Sequence, residues 1–109
     1  MRHWNTLVLA AVCVAICAAV ADNATTLVCL TRLGEVVEEM NPLTRLLITR
    51  WGIETTLFFN TLCSGTVIIW VGLQGIEYRS KFAVLFLLAL ILIRGYAAWH
   101  NFNILLTAL

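Results

Sequence analysis

The sequence predicts an all-α fold, a membrane bundle of three transmembrane helices, and three observations carry that prediction. Hydrophobic residues fill 61% of the 109 positions, and the charged minority is gathered into narrow bands. Between the bands lie apolar stretches at about residues 4–33, 53–76 and 82–106. A hydrocarbon core of roughly 30 Å takes roughly 20 helical residues, and each stretch meets that length. Three crossings leave no room for a water-soluble domain, so residues 1–109 read as a single integral membrane domain.

The first span is apolar from Trp4 to Ala21 and turns polar at Asp22, Asn23, Thr25 and Thr26. Ala11, Ala15, Ala18 and Ala19 recur near helical spacing, a small-residue stripe that lets a neighbouring helix come close. Two readings of this segment stay open. Met1-Arg2-His3 followed by apolar residues and Ala19-Val20-Ala21 has the form of a cleavable secretory signal, so 1–21 is either removed or retained. The helical pattern runs through the candidate cleavage point without a turn residue, which favours a retained first helix.

Residues 34–52 form an acidic connection holding Glu35, Glu38 and Glu39. Gly34 suits a helix C-cap, and Asn41-Pro42 suits a helix start, with Asn as N-cap and Pro in the first turn. Leu43, Leu46 and Leu47 fall on one side of the following turns and Arg45 on another, so a short interfacial helix is expected before the second span. That span carries Asn60, Thr61, Ser64, Gly65, Gly72 and Gly75, and Gly65 and Gly72 join Ala11, Ala15 and Ala18 as expected helix-packing positions. Glu77 to Lys81 is a tight turn into the third span. This last helix is wholly apolar from Phe82 to Ile93 and changes at Arg94, with Tyr96, Trp99, His100, Asn101 and Asn103 beyond, the aromatic and polar mixture of a membrane interface.

Several chemistries lack their signatures. A net charge of +1 without a basic cluster gives no case for nucleic acid. Cys13, Cys17, Cys29 and Cys63 all lie in apolar stretches and read as free, packed thiols, and no metal or cofactor is expected. The chain has neither a Gly-x-Ser-x-Gly nor a His-Glu-x-x-His sequence, nor a phosphate-binding glycine loop, and Ser64 has no dependable His partner, so no enzyme is expected.

Ionisable groups within the spans are the strongest functional signal, because a charge in hydrocarbon costs several kcal/mol unless it is paired or hydrated. Asp22, Glu54 and Arg94 fall in the same half of the membrane when depth is counted at about 1.5 Å per residue. A polar membrane cluster of Asp22, Glu54, Arg94 and His100 is therefore expected. The bland alternative places Asp22 and Glu54 at the interface, facing water and headgroups.

Asp22-Asn23-Ala24-Thr25-Thr26, then Gly34, then Glu39-Met40-Asn41-Pro42-Leu43 resembles the D-x-x-T-T, G, E-x-N-P-L pattern of DUF5658, a family of small prokaryotic and viral membrane proteins of unknown function. The likeness covers Asp22 to Leu47 and extends loosely to His100-Asn101. It implies a retained first helix in a prokaryotic or viral membrane, and it marks Asp22, Thr26, Gly34, Glu39, Asn41, Pro42 and Asn101. It implies no activity. Capping by Asn41, a favourable dipole contact for Glu39 and a bond from Thr26 to its own helix would explain the same pattern, except for Asp22.

Two function classes fit these features. One is a structural or assembly subunit, packing with itself as a homo-oligomer or with a larger membrane protein complex, its lipid bilayer being the other partner. The alternative is a small permeation protein, a proton-coupled transporter or holin-like pore using Asp22. Small multidrug transporters have four spans and a Glu in the middle of the first, and holin-like pores usually end in a basic tail; this chain has neither feature.

Overall fold

The computed structural model describes residues 2–33 and 49–108. Three long helices account for nearly all of them: α1, Arg2–Leu33; α2, Ile53–Tyr78; and α3, Lys81–Ala108. Each contains a segment long and apolar enough to cross a membrane, His3–Cys29, Ile53–Tyr78 and Lys81–Thr107 respectively. The expected spans thus form, and α1 passes through Ala19–Ala21 without a break. A short helical turn at 49–51 precedes α2. Gly34, Glu39, Asn41 and Pro42 lie outside the described residues, as does most of the acidic connection.

α2 begins after Gly52, whose φ of 87° belongs to the left-handed region that favours glycine, and its first bond runs from Thr56 N to Gly52 O at 3.2 Å. It ends with Arg79 in the αL conformation, φ 53°, a position usually taken by Gly or Asn. Ser80 then receives the Ala83 N–H on its Oγ at 3.2 Å, the N-cap contact that starts α3. Two residues are enough to reverse the chain, so α2 and α3 form an antiparallel hairpin.

α1 is the central helix, touching α2 and α3 each more extensively than they touch one another. Its buried face follows the helical period through Val8, Ala11, Ala15, Ala19, Asn23 and Cys29. Ala11, Ala15 and Ala19 pack with Ile68 and Val71 of α2 and Ala83 and Leu87 of α3. Lipid chains are as apolar as these side chains, so close contact rather than hydrophobic transfer holds this part together. A β-carbon added at Gly72 would overlap Val12, and one at Gly75 would stand 3.3 Å from Ala83 Cβ and 3.4 Å from Val8 Cγ1. Trp4 ties the same end, its indole N–H donating to Gly75 O at 2.9 Å.

Two expected packing positions require correction. Ala18 is only partly buried, because the stripe follows the 3.6-residue period onto Ala19. Gly65 has open space where a β-carbon would stand, so the close approach of α1 and α2 runs through Gly72 and Gly75 instead.

Candidate functional site

The buried face of α1 changes chemistry at its sixth turn. Asp22 and Asn23 occupy the stripe position that Ala15 and Ala19 hold earlier, and both turn inward to meet Arg94, which lies midway along α3. Nε of Arg94 stands 3.0 Å from Asp22 Oδ2, in an alignment that makes a charge contact rather than a linear hydrogen bond. The two side chains are only 19% and 15% exposed.

Nη2 of Arg94 is the hub that joins all three helices. It donates to Ala19 O at 3.2 Å, Asn23 Oδ1 at 3.0 Å and Asn60 Oδ1 at 3.0 Å. The Asn23 amide donates in turn to Asn60 Oδ1 at 3.0 Å and to Thr61 Oγ1 at 2.8 Å. Ser64 Oγ donates to Asn60 Oδ1 at 3.4 Å, one turn along α2. Charge pairing with Asp22 neutralises the guanidinium, and the oxygens of Ala19, Asn23 and Asn60 satisfy Nη2, which hydrocarbon would leave bare.

The polar core continues from Asp22 toward the C-terminal end of α3. Thr26 Oγ1 donates to Asp22 Oδ1 at 3.4 Å, and the Asn101 amide donates to Thr26 Oγ1 at 3.0 Å and to Thr25 Oγ1 at 3.1 Å. Cys29 Sγ closes the series on Asn101 O at 3.4 Å. Thr25 also bonds back to its own helix, on Ala21 O and Asp22 O at 2.8 and 3.0 Å.

Of the four residues expected in the polar cluster, Asp22 and Arg94 meet directly. Glu54 does not join them: it is exposed in the first turn of α2, where a carboxylate suits the positive end of the helix. His100 is also exposed, stacked on Tyr96 with ring centroids 6.3 Å apart. From α2 it is Asn60 that meets Arg94, nearly two turns deeper than Glu54, with Thr61 and Ser64 bonded beside it. Its spacing to Ser64, and the chain's sparse supply of amides within apolar runs, were the available signals. Of the motif residues that are described, Asp22, Thr26 and Asn101 lie in one bonded series, although Asn101 is far from the other two in sequence.

Among the described residues no group of three or more His, Cys, Asp or Glu side chains could hold a metal ion. Cys13, Cys17 and Cys63 are exposed on the outer faces, whereas Cys29 is buried. Arg94 also lines a half-open groove of about 210 Å³, together with Ala19 of α1, Ser64 and the exposed Val67 of α2, and the exposed Phe86 of α3.

No family model, curated protein or solved structure matches this chain. The likeness to DUF5658 therefore rests on the residues of the motif themselves.

Proposed function

We propose that this chain is a structural or assembly subunit of a membrane, a small helical bundle that packs with itself or with a larger membrane partner. The observation that carries this reading is the junction at Arg94, where one guanidinium engages α1 through Ala19, Asp22 and Asn23 and α2 through Asn60. Such a junction sets the register of three helices, since a slip by one residue would leave a charge and several amides unmatched in hydrocarbon. The outer faces then present apolar surface to lipid or to another protein, with Phe82 83% and Leu92 73% exposed. Membership of a DUF5658-like family belongs to the same reading, supported by the meeting of Asp22, Thr26 and Asn101.

Permeation is the second reading, favoured by the polar series that leads from Arg94 to Asn101. It has to explain the opposite half, where Val8, Ala11, Ala15, Ile68 and Leu87 close the bundle without a polar side chain. The two readings separate in native membranes and in proteoliposomes of the full chain. Treatment with a membrane-permeant bis-maleimide, using the exposed Cys13, Cys17 and Cys63, is expected to give defined adducts with a second copy or a co-purifying membrane protein. Proteoliposomes loaded with a pH-sensitive dye are expected to leak protons no faster than empty ones. Only unlinked chain, together with a proton flux abolished in Asp22→Asn, would reverse the choice.

A further inference from the structure

Ala19-Val20-Ala21 has the small-x-small form after which a signal peptidase cuts, and Arg2 with the apolar run from Thr6 to Ala18 supplies the preceding segment that such an enzyme requires. Counted from Trp4 at about 1.5 Å per residue, the bond between Ala21 and Asp22 lies roughly 26 Å along α1, near the exit from a hydrocarbon core of roughly 30 Å. Sequence and depth thus make a substrate. The fold withholds it. Proteases bind the residues before a scissile bond as extended chain, whereas α1 runs as unbroken helix from Arg2 to Leu33. Ala19, which such an enzyme would seat in a small pocket, is 4% exposed in the core with Ile68 and Leu87, and its carbonyl accepts from Nη2 of Arg94 at 3.2 Å.

Local propensity gives the helix weak support beyond that point. Asp22, Asn23, Thr25 and Thr26 are poor helix formers, and polar side chains after an apolar run are drawn toward water and headgroups. Their inward partners come from the other two helices. Arg94 holds Asp22 and Asn23, Asn60 and Thr61 receive the Asn23 amide, and Asn101 donates to Thr25 and Thr26. Without α2 and α3 in place, α1 would end near Ala21 and free the tripeptide as extended chain at the membrane surface. Helix across the cleavage point is therefore a property of the assembled bundle.

We propose that the bond between Ala21 and Asp22 is a latent signal-peptidase site, masked by the junction at Arg94 and hydrolysed when that junction fails to form. Water cleaves the amide, leaving a carboxylate on Ala21 and a new amino group on Asp22, and the remaining chain loses its first span. Masking requires the bundle alone, whatever it packs with; cleavage requires the end carrying Arg2, Arg79 and Lys81 to face the cytoplasm. The full chain and its variants would be expressed in cells whose signal peptidase is active, and N-termini and intact masses read from protein purified out of the membranes. Wild type is expected to keep residues 1–21. Arg94→Met leaves the tripeptide itself untouched, and its major product should begin at Asp22. Asn60→Leu, a milder lesion of the same junction, should give the same product as a smaller fraction. Adding Ala21→Leu, a bulky residue at an exposed position, should restore full length to both, which separates this cut from general degradation. Wild type beginning at Asp22, full-length product from every junction variant recovered, or a cut that survives Ala21→Leu would overturn the proposal. Should Arg94→Met fail to accumulate, Asn60→Leu decides the matter by the same readout.

Discussion

From Val8 to Ala19 the inner face of α1 meets its neighbours through methyl groups and glycine backbone, and from Asp22 to Cys29 the same face meets them through a carboxylate, amides, hydroxyls and a thiol. The two halves use one geometry and different chemistry. In the first, specificity is a matter of shape: small residues bring backbones together, and the gain comes from many weak contacts. In the second, specificity is a matter of completeness, because each polar group is tolerated only while its partners are in place. The first half should therefore respond to changes of volume in graded fashion, and the second to the loss of a partner abruptly.

The largest effect is expected where a charge is orphaned. Asp22→Leu should destabilise the bundle by roughly 3–5 kcal/mol, as does removal of one member of a buried ion pair elsewhere. Unfolding in SDS-titrated mixed micelles measures it, and the double variant Asp22→Leu/Arg94→Met should recover most of the loss. If the double variant is no better than the single one, the pair is not the coupling element of this half.

A smaller loss is expected in the dry half from Gly72→Ala, whose methyl would overlap Val12; overpacking of this kind costs about 1–3 kcal/mol. Pairing it with Val12→Ala should restore stability in the same micelle titration. No recovery would mean that the two helices are not held in contact at Gly72.

Asn60→Leu tests whether α2 is joined to the other helices by hydrogen bonding. It removes the acceptor shared by Arg94, Asn23 and Ser64, and a loss of about 1–3 kcal/mol follows from leaving those donors short of a partner. An unchanged midpoint for Asn60→Leu would sink the idea of a three-helix junction.

The smallest effect, of opposite sign, belongs to Gly65→Ala. A β-carbon there meets nothing within 4 Å, so the better helix propensity of Ala should raise stability by about 0.5–1 kcal/mol. Destabilisation instead would place Gly65 at a contact with another chain, and would point to the oligomer interface that the bundle itself does not contain.

Much of this contrast was legible before any tertiary structure. Asp22 stood out because nothing local requires a carboxylate after a run of apolar and small residues, and Arg94 because it interrupts an otherwise apolar helix. Counting rise per residue put both at one depth, and they pair. The same count misled for Glu54, since it located the start of α2 but could not say which way that first turn faces. His100 is one residue from Asn101, and the helical rotation between them sends Asn101 inward to Thr25 and Thr26 and His100 outward onto Tyr96. Ala18 and Ala19 divide on the same ground, as do Gly65 and Gly72.

The sequence by itself determined the three spans, their antiparallel hairpin with a tight turn after Tyr78, and the presence of unlike charges at a shared depth, because hydropathy, turn chemistry and rise per residue act locally along the chain. Only the tertiary structure decided that Asn60 rather than Glu54 completes the junction, and that Gly72 rather than Gly65 takes the close approach. Those choices depend on the rotation of each helix about its axis, and rotation is set jointly by every contact the three helices make.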